Sequence, residues 1–221
     1  MGNNQNGART RVLVIDEQVL IRMAMSAVVG SQADMTCVGA VAGGTVGIRL
    51  VGEADVVVTE LEFSSESGFE LVRRLRERSP VLGIVVHSGL ATGAFVGHCL
   101  SLGADAFVEK GTDVETLMLA IRRAAAGNRY VGPGLGGRVR DHLEGRRSAG
   151  ADPADALSAG ELQVLQKMSL GMTTAETALS LGKCAKTIAT FQSRIRRKVG
   201  LANLEQLIRF AVLHFSRAAR A

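Results

Sequence analysis

The chain has 221 residues, 47% hydrophobic and 21% charged, values that exclude a disordered chain, a coiled coil and a collagen-like fibre. Charge is unevenly placed: residues 1–130 carry 12 Lys and Arg against 14 Asp and Glu, whereas residues 151–221 carry 10 against 5. An acidic front and a basic tail point to two tasks, the second with a polyanion.

The first ten residues, MGNNQNGART, are polar and lack the basic, apolar and small-residue zones of a signal peptide, so residues 1–10 are expected to be disordered. The three cysteines, Cys37, Cys99 and Cys184, are too few for a disulfide scaffold and lack the CxxC spacing of a zinc site. They fit a reducing compartment, and a cytoplasmic protein is the expectation. Residues 79–104 carry no formal charge, but their glycines, His87, His98 and hydroxyls argue against a membrane span.

From residue 11 short apolar runs alternate with longer helical patterns. The runs are VLVID (12–16), MTCVGA (35–40), VVVTE (56–60), GIVVHS (83–88) and AFVEK (106–110). Helical stretches are predicted near 18–29, 44–52, 67–78, 92–102 and 113–126. Ser67-x-x-Glu70 and Thr112-x-x-Glu115 read as capping boxes, in which side chains satisfy the unpaired N–H groups of a helix start. Five strands, each followed by a helix, predict an α/β domain with a doubly wound five-stranded parallel sheet, spanning 11–130. Chemistry in such sheets gathers at the carboxyl ends of the strands. Asp16, Glu60, Ser88 and Lys110 end four of them.

Residues 131–156 hold Pro133, Pro153 and much glycine, and read as a linker with a short helix around Val139–Leu143. Beyond Leu157 no strand pattern occurs. Ser158-x-x-Glu161, Thr173-x-x-Glu176 and Asn203-x-x-Gln206 each open a helix, and Ala185–Val199 forms another. Four short helices in the basic third predict a small all-α helix-turn-helix domain over 157–216.

The acidic pair Asp16-Glu17, the strand-end acid Glu60, Ser88 and the segment GADAFVEK (103–110) together resemble the receiver domain of bacterial two-component response regulators. The tail LSAGELQVLQKMSLGMTTAETALSLGKCAKTIATFQSRIRRKVGL (157–201) resembles the LuxR/NarL-type helix-turn-helix. The resemblance implies a flavodoxin-like receiver, a DNA-binding tail, double-stranded DNA as partner and a homodimer. It also makes Ser88, Phe107 and Lys110 the switch residues. In that family the phosphoacceptor is an aspartate at the end of the third strand, and here Glu60 stands there. Glutamate places its carboxylate one methylene, roughly 1.5 Å, further out, and in-line phosphoryl transfer tolerates little misplacement. Glu60 is therefore read as an acceptor equivalent that is not phosphorylated, and Asp16 and Glu17 as a vestigial acidic pocket. Two readings of Glu60 stay open: a structural ion pair with Lys110, which we place first, or a longer acid imitating a phosphorylated aspartate.

Without phosphorylation the cue falls to a small molecule, a partner protein or the protein's own abundance. Residues 83–104 could line an apolar pocket for such a ligand, although a buried strand and helix is the plainer reading. His87 and His98 have no spaced partner and are read as packing or surface residues.

In the tail, Cys184, Ile188, Phe191, Ile195 and Val199 form one apolar stripe expected to pack inward. The opposite side carries Lys186, Ala189, Thr190, Ser193, Arg194 and Arg197. By the resemblance Ala189, Thr190 and Ser193 meet base edges; Lys183, Lys186, Thr187, Arg194, Arg197 and Lys198 complete the DNA-binding set, the cations holding phosphates. Cys184 is expected to be a small buried residue, and the last helix, Asn203–Phe215, to cover the core and contribute to a two-fold interface. No nucleophile elbow, HExxH, Walker loop or Cys/His dyad occurs, so no enzyme, metal or cofactor is expected. The function expected is a transcription regulator not activated by aspartyl phosphorylation, by family analogy one serving a specialised-metabolite gene cluster. The alternative is a signalling adaptor without specific DNA binding.

Overall fold

The computed structural model describes residues 9–63, 66–143 and 153–218, and these form two compact units. The first comprises Met1–Ser88, Leu102–Val108 and Thr112–Val131; the second comprises Gly89–Ser101, Glu109–Gly111 and Gly132–Ala221. Residues 1–8, most of the tail expected to be disordered, lie outside the described residues, as do 144–152 of the expected linker. The first strand already begins at Thr10, whose N–H donates to the Asp34 carbonyl at 2.8 Å.

The chain alternates strand and helix: β1 (Thr10–Ile15), α1 (Val19–Ser31), β2 (Met35–Val41), α2 (Gly44–Leu50), β3 (Val56–Thr59) and α3 (Gly68–Arg78). It continues through β4 (Gly83–Ser88), α4 (Gly93–Ser101), β5 (Ala106–Glu109), α5 (Val114–Ala125) and β6 (Tyr130–Val131). The sheet order is β2-β1-β3-β4-β5-β6, with β1 parallel to both neighbours, β3 to β4 and β5 to β6. The sheet therefore has six strands, not five. The sixth is a two-residue strand added beside β5, too short to produce a pattern in sequence.

Continuous apolar strands fit a parallel sheet covered on both faces. Val12 to Ile15, Val56 to Val58 and Ile84 to Val86 are fully buried. Alternate residues Val12, Val14, Val56, Val58 and Val85 meet Met25 and Val29 of α1 and Leu117, Met118 and Ile121 of α5. On the other face α2 packs on β1 and α3 on β4. The close approach of α2 shows at Gly47, where a Cβ would meet the Ile15 side chain at 2.3 Å.

The helix starts follow local capping, with one shift. Ser67 Oγ accepts from the Glu70 N–H at 3.5 Å, while the Glu70 carboxylate pairs with Arg73. The cap of α5 is Asp113, accepting from the Thr116 N–H at 2.6 Å, rather than Thr112 with Glu115. A carboxylate at the N-cap also meets the positive end of the helix dipole, which favours Asp113 over the neighbouring hydroxyl. The helix expected at Val139–Leu143 begins earlier, as α6 (Leu135–Leu143), with Leu135 buried.

In the second unit α6 packs on α4. A short 3-10 turn (Pro153–Ala156) precedes α7 (Ala159–Ser169), α8 (Thr174–Ser180), α9 (Ala185–Val199) and α10 (Leu204–Ala218). Full capping boxes open α7 at Ser158 and Glu161, and α8 at Thr173 and Glu176. Asn203 caps α10 through the Gln206 N–H at 2.9 Å. α9 ends at Gly200, whose φ of 76° is the left-handed C-cap that glycine adopts without strain. The core holds Leu157, Leu162, Val164, Leu165, Ile188, Ile195, Leu207 and Ala211, all buried.

Candidate functional site

Parallel registration brings two of the expected strand-end residues of the first unit level and a third within one position of them. Ile15 pairs with Thr59, and Thr59 with Val86. Asp16 and Glu60 therefore follow the ends of β1 and β3, Ser88 is the last residue of β4, one position beyond their level, and all three are buried. Each has a defined local environment. Asp16 Oδ1 accepts from the Gln18 N–H at 2.8 Å, as a turn-closing aspartate does. Glu60 Oε1 accepts from the Leu61 N–H at 2.6 Å and the Glu62 N–H at 3.3 Å. The glutamate thus folds back onto the loop that follows it. Phe107 is fully buried on β5, whereas Lys110, half-buried, belongs to the second unit.

The loop after β3 is tied down at both ends. Glu62 and Ser67 form an antiparallel bridge, and Leu61 and Phe63 are buried. Gly68 admits this closure because a Cβ there would lie 2.4 Å from Leu61 Cα. Ser64 and Ser65 lie outside the described residues. Two residues not singled out in the sequence complete the setting. Arg22 Nη1 donates to the carbonyl oxygens of Asp16 at 2.6 Å and Glu17 at 2.8 Å. Glu66 Oε1 accepts from the Gly44 N–H at the start of α2. Arg22 leaves a signal in the sequence as the lone charge in an otherwise apolar helical run; Glu66 leaves none.

The segment 83–104 is occupied by β4 and α4. His87 and His98 are half-buried, and burial holds the His98 imidazole below its ordinary pKa. Among the described residues no group of three or more His, Cys, Asp or Glu side chains could hold a metal ion. No helix among them is long and apolar enough to cross a membrane.

In the second unit α8 and α9 are joined by the tight turn 181–184, the geometry of a helix-turn-helix. Ile188 and Ile195 of α9 are buried, Phe191 and Val199 half-buried. The opposite side of α9 exposes Lys186, Ala189, Thr190, Ser193, Arg194 and Arg197, with Lys183 exposed in the preceding turn and Thr187 half-buried. Lys198 Nζ donates to Glu161 Oε2 at 2.6 Å. Cys184 does not pack inward as the stripe suggested. It is exposed and serves as the N-cap of α9, a position outside the helical periodicity that aligned the other four residues. Hydrogen bonds from Thr187 hold its thiol below the ordinary cysteine pKa.

The family model of the response regulator receiver domain matches residues 12–122, and that of the bacterial regulatory proteins of the luxR family matches residues 155–211. The chain belongs to the response regulators. Among its relatives is the response regulator GacA of Pseudomonas aeruginosa, 26% identical over 92% of this chain and 96% of GacA. Its fold is similar to RcsB of Salmonella enterica serovar Typhimurium bound to promoter P1flhDC in the presence of phosphomimetic BeF3−, with TM-score 0.74, 20% identity, and coverage of 93% of this chain and 98% of RcsB. A structure of two RcsB dimers bound to two parallel DNAs is also similar, with TM-score 0.57, 21% identity, and coverage of 91% and 97%.

This response regulator is a DNA-binding transcription factor of the LuxR/NarL type. In its receiver domain Glu60, directly after β3, holds a carboxylate already bound by two main-chain amides.

Proposed function

We propose that this response regulator binds promoter DNA as a homodimer and is controlled without a phosphoryl group on residue 60. The observation that supports the reading is the Glu60 side chain. Its Oε1 accepts two backbone N–H bonds and the residue is buried, so the carboxylate is anchored to the loop, and turning it toward a phosphoryl donor would leave both amides unsatisfied. The cost of burying an unpaired amide weighs against that rotation. Asp16 is similarly engaged through the Gln18 N–H, and Arg22 holds the main chain of the acidic pair. The cue then arrives as a small molecule or a partner protein, or through the protein's own abundance.

The DNA-contacting set of this proposal is Lys183, Lys186, Thr187, Ala189, Thr190, Ser193, Arg194 and Arg197, with α9 in the major groove. Dimerisation is supported by the RcsB dimers on DNA, and it supplies two half-sites where one exposed helix offers few strong base contacts. Footprinting with the full chain on candidate promoters tests the reading. The same protected site and the same affinity are expected with and without acetyl phosphate and Mg²⁺. A footprint that forms only after acetyl phosphate treatment overturns it.

A further inference from the structure

On the outward side of α9 the cationic residues stand at the two ends of an uncharged window. Lys186 lies on one side, Arg194 and Arg197 on the other, and Ala189, Thr190 and Ser193 between them, all exposed. Buried Ile188 and Ile195 fix which side faces out. Thr190 Oγ1 donates its one hydrogen to the Lys186 carbonyl oxygen at 3.0 Å. What remains of Thr190 for a ligand is an acceptor oxygen and a methyl group. Ala189 adds a second methyl and no hydrogen-bonding atom.

In the major groove guanine shows two acceptors, adenine and cytosine each show a donor, and thymine alone shows a methyl group. Neither Ala189 nor the back-bonded Thr190 offers guanine a donor. Donating to a base would forfeit the bond to Lys186. An A·T pair suits both groups: the thymine methyl meets the alanine and threonine methyls, and the adenine N6–H meets the threonine oxygen. A C·G pair at the same place leaves the guanine acceptors facing carbon, which binding penalises once water is excluded. Ser193 carries a hydroxyl that donates or accepts and so discriminates little.

We propose that Ala189 and Thr190 are specificity-determining residues that select A·T pairs at the centre of each operator half-site by contact with thymine methyl groups. The inference rests on DNA binding by α9 and names the base pair that this helix takes.

Selection of duplexes from a random pool by the full chain should return half-sites centred on A·T pairs. Replacing the central thymines by deoxyuridine removes only the methyl group, and should weaken binding about fourfold per methyl. The same replacement in the flanks should change nothing. Thr190→Ser should lose affinity for the thymine duplex by a similar factor and become insensitive to deoxyuridine at the position it reads, while Thr190→Val stays sensitive. A G·C-centred operator, or equal binding of thymine and deoxyuridine duplexes, overturns the base assignment alone. A selection that returns no shared sequence overturns sequence-specific binding, and this inference with it.

Discussion

Lys198, in the last turn of α9, donates to the Glu161 carboxylate of α7 at 2.6 Å, and the same Glu161 oxygen accepts the Ser158 N–H at 2.7 Å. One buried oxygen thus closes the start of α7 and pins the end of the helix whose outward face carries the basic residues. The glutamate is 3% exposed and the lysine 36%. Because Lys198 keeps part of its hydration, replacing it by Met should cost about 2 kcal/mol, below the range for breaking a fully buried pair. Glu161→Ala should cost about 1 kcal/mol more than Glu161→Gln, since only the amide keeps an acceptor for the Ser158 cap. Chemical denaturation followed by circular dichroism measures both. Arg194→Ala and Arg197→Ala should each lower the salt dependence of DNA binding by about one unit of slope, whereas Lys198→Met should lower it less.

The same pair sets a pH dependence. Burial raises the Glu161 pKa, but hydrogen bonds from Lys198 and from the Ser158 N–H outweigh it and hold the carboxyl below its ordinary value. A carboxyl depressed in the folded state contributes stability above its unfolded pKa and loses it as pH falls through the folded one. Stability should therefore decline on acidification below the ordinary glutamate range. Glu161→Gln should flatten that decline, as denaturation midpoints measured across acid pH would register.

Cys184 is the exposed cysteine, and its thiol is held below the ordinary pKa by Thr187. Iodoacetamide should label it first, with Cys37 slower and buried Cys99 reacting only on unfolding. The labelling rate of Cys184 should level off at a lower pH than that of a free thiol, and Thr187→Val should move the plateau upward. Peptide mapping after timed quenching reads all three sites.

Arg138 of α6 donates to the Ala91 carbonyl at 3.2 Å and reaches the Glu109 carboxylate at 3.5 Å. It ties the segment before α4 and the end of β5 to one helix. The pair is largely exposed, so Arg138→Ala should cost only about 1 kcal/mol locally. Hydrogen exchange in residues 135–143 should then speed up about fivefold, with little change in β1 or β3.

What the sequence disclosed follows from how strongly each feature was over-determined. VLVI, VVVT and GIVV are short continuous apolar runs, each followed by a helical pattern, as a covered parallel sheet requires, so the sequence itself places the strand ends carrying Asp16, Glu60 and Ser88. The boxes at Ser158 and Thr173 were legible because hydroxyl and carboxylate stand at fixed spacing. β6 was not, since two residues carry no period. The start of α6 hid among glycines, and only the burial of Leu135 reveals it. Cys184 shares the spacing of the apolar stripe but stands one position before the helix start, where that spacing no longer sets a direction. The direction of the Glu60 side chain depends on two amides presented by the loop after β3, a geometry that no spacing rule encodes.

Intact-mass spectrometry of the full chain incubated with acetyl phosphate and Mg²⁺ tests most directly the proposal that Glu60 does not accept a phosphoryl group. The account predicts an unmodified mass for the wild type under conditions that phosphorylate a conventional receiver run alongside. A wild-type protein that gains one phosphoryl group, with the modified peptide containing Glu60 and the gain abolished by Glu60→Gln, would contradict it.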